Sequence, residues 1–494
     1  MTNTPHIQRS LLSGLFWVLL LNLLIKPLWI LGIEVGVQNA VGVEEYGFYF
    51  KIFNLAYIFN ILLDLGVTNY NARNIAQHPQ LIQKHLSGIL STKLLLLAFY
   101  MVVTFTVGAL MGYQSRQFFL LMWLCINQFL NSLIVYLRSN FEGLLLFRWD
   151  SVISILDRVL MIVICGALLL FHRNNFPIEW FVYAQTAAYL VTLATALYAT
   201  SRKVGLRRMH FSKPFTLAIL RQSAPFALLV LLMATYNRID PVLLGWLLPE
   251  TIGDIQSGIY AGAFRLLDAL TMVCYLVSVI LLPVYAKMVS RYQVDHSTSV
   301  GKITQLMFSL LMAFAIGSSV TLSFMSRPLM DWLYTDHVDN MANVFSLLIF
   351  DLIPISFTYI FGTLLTANGN LRQLNLFATL SIVINVVLNL LLIPHLQAYG
   401  SAISSLAAQS FMAIAQCWLA LRLFHLRPSA GYLLRLLLYI VIVVVLNLIW
   451  YHNLSIMSWW LWLAAITIGC IVSALILRII DVKKIIDILK ERDS

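Results

Sequence analysis

Residues 236–268 read YNRIDPVLLGWLLPETIGDIQSGIYAGAFRLLD: the tail of one apolar segment, a short acidic loop, and the head of the next. Arg238 and Asp240 lie on the first segment beside Pro241, and Arg265 and Asp268 lie on the second. Both flanks otherwise read as helix soluble in lipid. An ion inside a membrane helix costs roughly 2.5–3.5 kcal/mol on insertion scales and tends to face a cavity or a partner. Four such residues around one tight loop predict a polar interior.

The same pattern of apolar segments and short connections extends over the whole chain. Of its 494 residues, 60% are hydrophobic and 11% charged, less than half the charged share of about 25% in soluble domains. A spanning helix needs about 20 mostly apolar residues. On that ruler fourteen segments qualify, at 11–33, 46–68, 87–111, 117–140, 150–171, 178–200, 218–247, 257–285, 303–326, 342–366, 372–393, 400–424, 432–450 and 458–479. The expected fold is an all-α polytopic membrane protein with about 14 transmembrane helices and no soluble domain. The first segment shows no small-residue cleavage site and is expected to be retained as a helix rather than removed as a signal peptide.

Loop charge supports the count. If both termini share one side, the loops on that side and the termini carry 23 Lys and Arg against 3 (Arg116, Arg173, Arg327) on the other. By the positive-inside rule both termini are expected in the cytoplasm. The net charge of +11 follows from the same bias, so no nucleic-acid partner is expected. The five cysteines (125, 165, 274, 417 and 470) lie in apolar segments without a CxxC pair and read as packing residues.

An internal repeat divides the chain. At an offset of 211 residues Gly47 aligns with Gly258, Tyr49 with Tyr260, Phe53 with Phe264 and Leu55 with Leu266, while Lys26 falls opposite Asn237. Membrane transporters are often built from duplicated bundles. Two six-helix lobes are therefore expected at 1–214 and 215–428, followed by helices 13–14 and a cytoplasmic tail at 429–494.

No phosphate-binding GxxxxGK[ST] loop, HExxH or GxSxG motif occurs. Neither catalytic residues nor a metal site nor a cofactor is expected. Ions within segments remain. Arg238, Arg265, Lys26, Lys51 and Arg138 are candidates for a cationic cavity that would attract phosphate or pyrophosphate, the arginines through a bidentate fork. Asp240, Asp268, Asp351 and Asp64 are candidates for ion coupling or charge pairing. The alternative is local neutralisation, Arg265 with Asp268 and Arg138 with Glu142, which share helix faces. Asp157 and Arg158, being adjacent, are expected to find separate partners. Pro27, Pro225, Pro241, Pro283 and Pro354 are candidate kinks. His395 reads as interfacial, and residues 481–492 as an amphipathic or frayed tail.

Three stretches resemble the O-antigen and polysaccharide-precursor flippases, the polysaccharide transporter family within the multidrug/oligosaccharidyl-lipid/polysaccharide exporter superfamily. They are Glu44-Glu45-Tyr46-Gly47-x-Tyr49; Arg238-Ile239-Asp240 through Leu244-Gly245 with Gly258-Ile259-Tyr260 and Ala263-Phe264-Arg265-Leu266; and Asn385-x-x-x-Asn389, Ile393-Pro394 and Gly400-Ser401-Ala402, with Gly369-Asn370-Leu371-Arg372 just upstream. The resemblance covers about residues 10–425. It implies a V-shaped two-lobed bundle in a bacterial cytoplasmic membrane, working by alternating access. It further implies an undecaprenyl-pyrophosphate-linked oligosaccharide as substrate, Arg238 and Arg265 as pyrophosphate ligands, a proton or sodium ion as coupling ion, and a polysaccharide polymerase as a partner. The alternatives are a small-molecule extruder of the same superfamily and a membrane oligosaccharide polymerase or ligase. The latter would need a long outer loop with catalytic residues, and the longest here has about fifteen residues.

Overall fold

The computed structural model describes residues 25, 27–68, 71, 75, 82–144, 146–172, 175–204, 213–295, 299–426, 429–452 and 458–479. Lys26, most of the first expected span and the tail 481–492 lie outside them. Among the described residues every regular element is helical. Among these residues eleven helices are long and apolar enough to cross a membrane, or twelve if the bent pair Ala227–Arg238 and Asp240–Leu247 counts as one span. The chain is an all-α polytopic membrane protein. It divides into two compact units, Met1–Gly258 and Ile259–Ser494.

In the first unit a π-helical turn, Trp29–Glu34, leads into α1 (Val35–Val41). Gly42 then turns the chain with φ +86°, a conformation open to glycine at little cost. Next come α2 (Val43–Ile58), which tightens into a 3₁₀ stretch at Phe59–Leu63, then α3 (Ile82–Leu110), α4 (Ser115–Gly143), α5 (Phe147–His172) and α6 (Ile178–Val204). Burial follows a membrane logic, in which apolar side chains face lipid and polar ones turn inward. On α5, Val152, Val159, Val163 and Leu170 are exposed at helical spacing, while Ile153, Met161 and Cys165 are buried. Helix α4 buries Asn127, Gln128, Ser139 and Asn140. Its apolar face joins α3, α5 and α6 in one core around Ile89, Leu137, Ile153 and Tyr189.

Helices α7 (Lys213–Arg238) and α8 (Asp240–Leu247) meet at a 54° bend. Pro241 sits in the first turn of α8, where its missing N–H has no helical partner to lose. It therefore starts a helix rather than distorting one. Helix α9 (Glu250–Asp295) follows, with 46 residues; at 1.5 Å per residue it is about twice as long as the hydrocarbon core is thick. The boundary between the two units falls within it.

In the second unit α10 (Ser299–Phe324) is followed by the short α11 (Ser326–Leu333) and by α12 (Val338–Leu348). The span expected at 342–366 is helical throughout but changes pitch, through a 3₁₀ turn at Ile349–Asp351, α13 (Leu352–Phe357), a π-helical turn at Thr358–Gly362 and α14 (Thr363–Ala367). Pro354 lies among these changes. The 53-residue α15 (Leu371–Leu423) holds both expected spans, 372–393 and 400–424, on either side of a kink at Gln397 (φ 52°). A Cβ added at Gly400 would meet the Leu392 carbonyl oxygen at 2.8 Å. Last come α16 (Ala430–His452) and α17 (Trp459–Ile476), which pack on α10 through Met312, Ile316, Tyr439, Val443 and Ile466. The Tyr439 hydroxyl donates to the Ala313 carbonyl (2.9 Å) and the Asn447 amide to Thr321 Oγ1 (3.3 Å).

Candidate functional site

In the first unit the backbones of the Gly47 end of α2 and the head of α9 meet closely. A Cβ at Gly47 would run into the Asp254 carbonyl oxygen, and one at Gly258 into the Val43 carbonyl oxygen. Val43 and Asp254 are separated by 211 residues, as are Gly47 and Gly258, so each half of the contact is the image of the other under the repeat. Backbone meets backbone, which only glycine permits here. The Gln38 amide donates to the Gly258 carbonyl (3.0 Å), and Ser257 Oγ to the Pro241 carbonyl (3.1 Å).

Beside this seam Lys51 pairs with Asp254, Nζ to Oδ1 2.5 Å, with the two side chains 3% and 8% exposed. Gly245 on α8 makes room for the lysine stem, since a Cβ there would overlap Lys51 Cδ. A pocket of about 390 Å³ opens next to the pair; Glu44, Glu45, Phe48, Arg116, Glu250 and Asp254 are among its lining residues. Its balance is acidic, so it suits a phosphate poorly.

Among the described residues, several other cations of this unit have partners too. Arg138 holds Asp150 bidentately, at 2.7 and 3.3 Å. The ammonium of Lys93, fully buried, donates to Asp64 (2.8 Å), Ser132 (2.8 Å) and the Leu63 carbonyl (3.2 Å). Thr68 Oγ1 also donates to Asp64. This pair pins the place where α2 gives way to a turn with Leu65 and Gly66 at positive φ. Arg116 bridges Glu45 and Glu179 and lies over the Phe48 ring.

Arg238 is half-buried at the end of α7, its guanidinium 5.1 Å from the Tyr57 ring centroid. Asp240, one residue beyond the bend, is buried. In the second unit Arg265 is buried on α9, with Asp268 half-buried a turn further on. Asp351 is buried at the 3₁₀ turn, where it accepts from Ser405 Oγ at 2.7 Å. On α15 Ser401 Oγ donates to Asn389 Oδ1 (2.7 Å), and Asn389 in turn to Asn385 Oδ1 (3.0 Å). Such guanidiniums can neutralise an anion at two oxygens at once. Of the remaining candidates, Lys26 lies outside the described residues.

One sequence expectation changes in part. Arg158 meets Tyr189 and the Trp29 ring, with its guanidinium 5.6 Å from the ring centroid, but its Nε also lies 3.7 Å from the adjacent Asp157 Oδ2. Lys93 and Asp254 were not among the candidates, although a lysine within an apolar run was the available signal for the first. Asp254 read as a residue of an exposed acidic loop.

A family model described as polysaccharide biosynthesis protein matches residues 11–289. Among solved structures, the lipid II flippase MurJ in an inward closed conformation is similar, at a TM-score of 0.68 and 12% identity, over 98% of this chain and 100% of that one. An inward-facing multidrug resistance MATE family transporter of the MOP superfamily gives 0.60 and 14%, over 80% and 94%. A MOP superfamily transporter from Pyrococcus furiosus gives 0.58 and 12%, over 85% and 96%. Among curated proteins none matches the chain by sequence.

Proposed function

The chain belongs to the polysaccharide biosynthesis protein family, and on that premise we propose that it moves an undecaprenyl-pyrophosphate-linked oligosaccharide from the inner to the outer leaflet of a bacterial cytoplasmic membrane. A buried arginine, Arg265, and a half-buried one, Arg238, in otherwise apolar helices carry this reading. Such a substrate crosses with a diphosphate that the hydrocarbon core would otherwise exclude. Arg238 and Arg265 supply planar forks for its oxygens, with Lys26 as a further cation. Lys51 and Arg138 are engaged with Asp254 and Asp150 and reach the substrate only by exchanging those partners. The excess of Lys and Arg in alternate loops supports a cytoplasmic position for both termini. The Gly47 end of α2 then faces outward.

The lobes at 1–214 and 215–428 would alternate access between the two sides. Asp240, Asp268 and Asp351 are the carboxylates proposed for a coupling proton or sodium ion. Asp64 suits this role less well, because it is already paired with Lys93.

The test is genetic. Arg238→Ala and Arg265→Ala should each lower surface polysaccharide about tenfold to a hundredfold, the equivalent of one lost charge-assisted contact, with unchanged protein level. Full polysaccharide in both variants contradicts the assignment. The fold shared with a MATE transporter favours one second reading, a small-molecule extruder. Loss of resistance to cationic drugs, with surface polysaccharide intact, would select it.

A further inference from the structure

Helices α16 and α17 are joined by a short link and so run antiparallel. A Cβ added at Gly469 on α17 would meet Leu446 Cδ1 on α16 at 2.9 Å, which fixes their register. Counted from that contact along the two helices, Arg435 on α16 and Arg478 at the end of α17 lie about 17 and about 14 Å toward the same end. The two cations therefore share one depth, and both are exposed. Neither helix contains an Asp or a Glu, and nor does α10, on which they pack. Asp481, the nearest carboxylate to Arg478 in sequence, lies outside the described residues.

Arg435 is not a loop residue. It lies about 8 Å inside α16, between Leu433, Leu434, Leu437 and Leu438, all of them exposed. In a span of this hydropathy such a face meets lipid. The positive-inside bias places cations in loops; it does not call for one on the lipid face. An arginine there lays its stem along the apolar surface and carries its guanidinium to the headgroup layer, where lipid phosphates offer the acceptors. Arg478 follows the α17 cap with φ 52°, a position where glycine is usual. The carbonyls at that helix end favour a cation. Arg435 sits near the N-terminal end of α16 and gains nothing from its own helix dipole.

We propose that Arg435 and Arg478 form a site for the phosphate of an anionic phospholipid, held in the inner leaflet against the α16–α17 pair. The choice of leaflet rests on the proposed cytoplasmic position of the termini, and the site itself does not depend on the transport reading. Two planar forks can share one phosphate, or take one each from a lipid that carries two. A zwitterionic lipid brings its own ammonium and loses most of that attraction. Basic pockets between membrane helices on the cytoplasmic side suit such headgroups. Lys302 is exposed near the start of α10, and further along that helix Ser309 Oγ donates to the Tyr432 hydroxyl of α16 (3.0 Å). It adds positive potential from the adjoining helix. The last helix pair then seats a bound lipid as well as completing the core of the second unit.

The experiment titrates the purified full-length chain in detergent with phosphatidylglycerol or phosphatidylethanolamine of the same acyl chains, and native mass spectrometry counts the lipids retained. The native chain should hold its first phosphatidylglycerol about tenfold more tightly than phosphatidylethanolamine. Arg435→Gln and Arg478→Gln should each weaken phosphatidylglycerol about fivefold, as loss of one charge-assisted contact does, and the double variant should show no preference. Lys287→Gln removes an exposed cation on α9 and should keep the native preference. Equal affinity for the two lipids, or an unchanged preference in the double variant, overturns the site. So does an equal loss in Lys287→Gln, since the attraction would then belong to the basic surface at large. Undecaprenyl diphosphate that binds these arginines more tightly than phosphatidylglycerol would give the site to a transported lipid and overturn it too. Where a variant is not monodisperse, the native chain decides: phosphatidylglycerol should raise its unfolding temperature above that reached with phosphatidylethanolamine, and equal temperatures overturn the site. The transport reading fails separately: full surface polysaccharide in Arg238→Ala and Arg265→Ala leaves the lipid titration untouched.

Discussion

Lys93 and Lys51 are both lysines buried within apolar helices, and their partners give them different work. Lys93 has three acceptors and closes the break after α2; Lys51 has one carboxylate at a seam that borders solvent. Removing one member of a buried pair strands a charge and costs about 3–5 kcal/mol. Lys93→Met should therefore lower the unfolding temperature in detergent markedly, and Lys93→Met with Asp64→Asn should recover much of the loss. Partners of this kind were the least legible feature of the sequence. Arg138 reads naturally with Glu142, a turn away, yet it holds Asp150 across a helix boundary. Lys51 and Asp254 lie about two hundred residues apart, and only the packing of α2 on α9 brings them together.

At the scale of elements hydropathy located the helices well, because lipid imposes a length and a composition on anything that crosses it. Local breaks were legible only where a residue forces them. Pro241 marks the start of α8, whereas the kink at Gln397 has no glycine or proline at its own position. The two aligned glycines, found as a repeat, proved to touch each other, which no alignment of a sequence with itself can foresee. Gly258→Ala should force a Cβ into the Val43 carbonyl and cost about 1–3 kcal/mol, as overpacking does. Gly431→Ala, with open space around it in the first turns of α16, should be neutral or stabilise by up to about 1 kcal/mol. Thermal unfolding of the two variants side by side checks both; equal stability would mean that the seam does not need its glycine.

For the whole molecule, the last helix pair reads in sequence as an addition to a twelve-helix plan, but in the second unit it forms part of the core. Tyr439 lies against Gly317 and donates to Ala313, and Asn447 reaches Thr321. A chain ending after residue 428 would expose that face of α10, and its yield of monodisperse protein should fall sharply. The proposed handling of an anionic lipid headgroup is tested most directly with purified protein in liposomes. An undecaprenyl-diphosphate oligosaccharide is placed in one leaflet, and the fraction open to an added glycosidase is followed at the other. Transfer is expected for the diphosphate-linked lipid, and it should be at least tenfold slower for the same oligosaccharide on a neutral polyprenyl ether. Equal rates for the two lipids would contradict a role for Arg238 and Arg265 in carrying the headgroup.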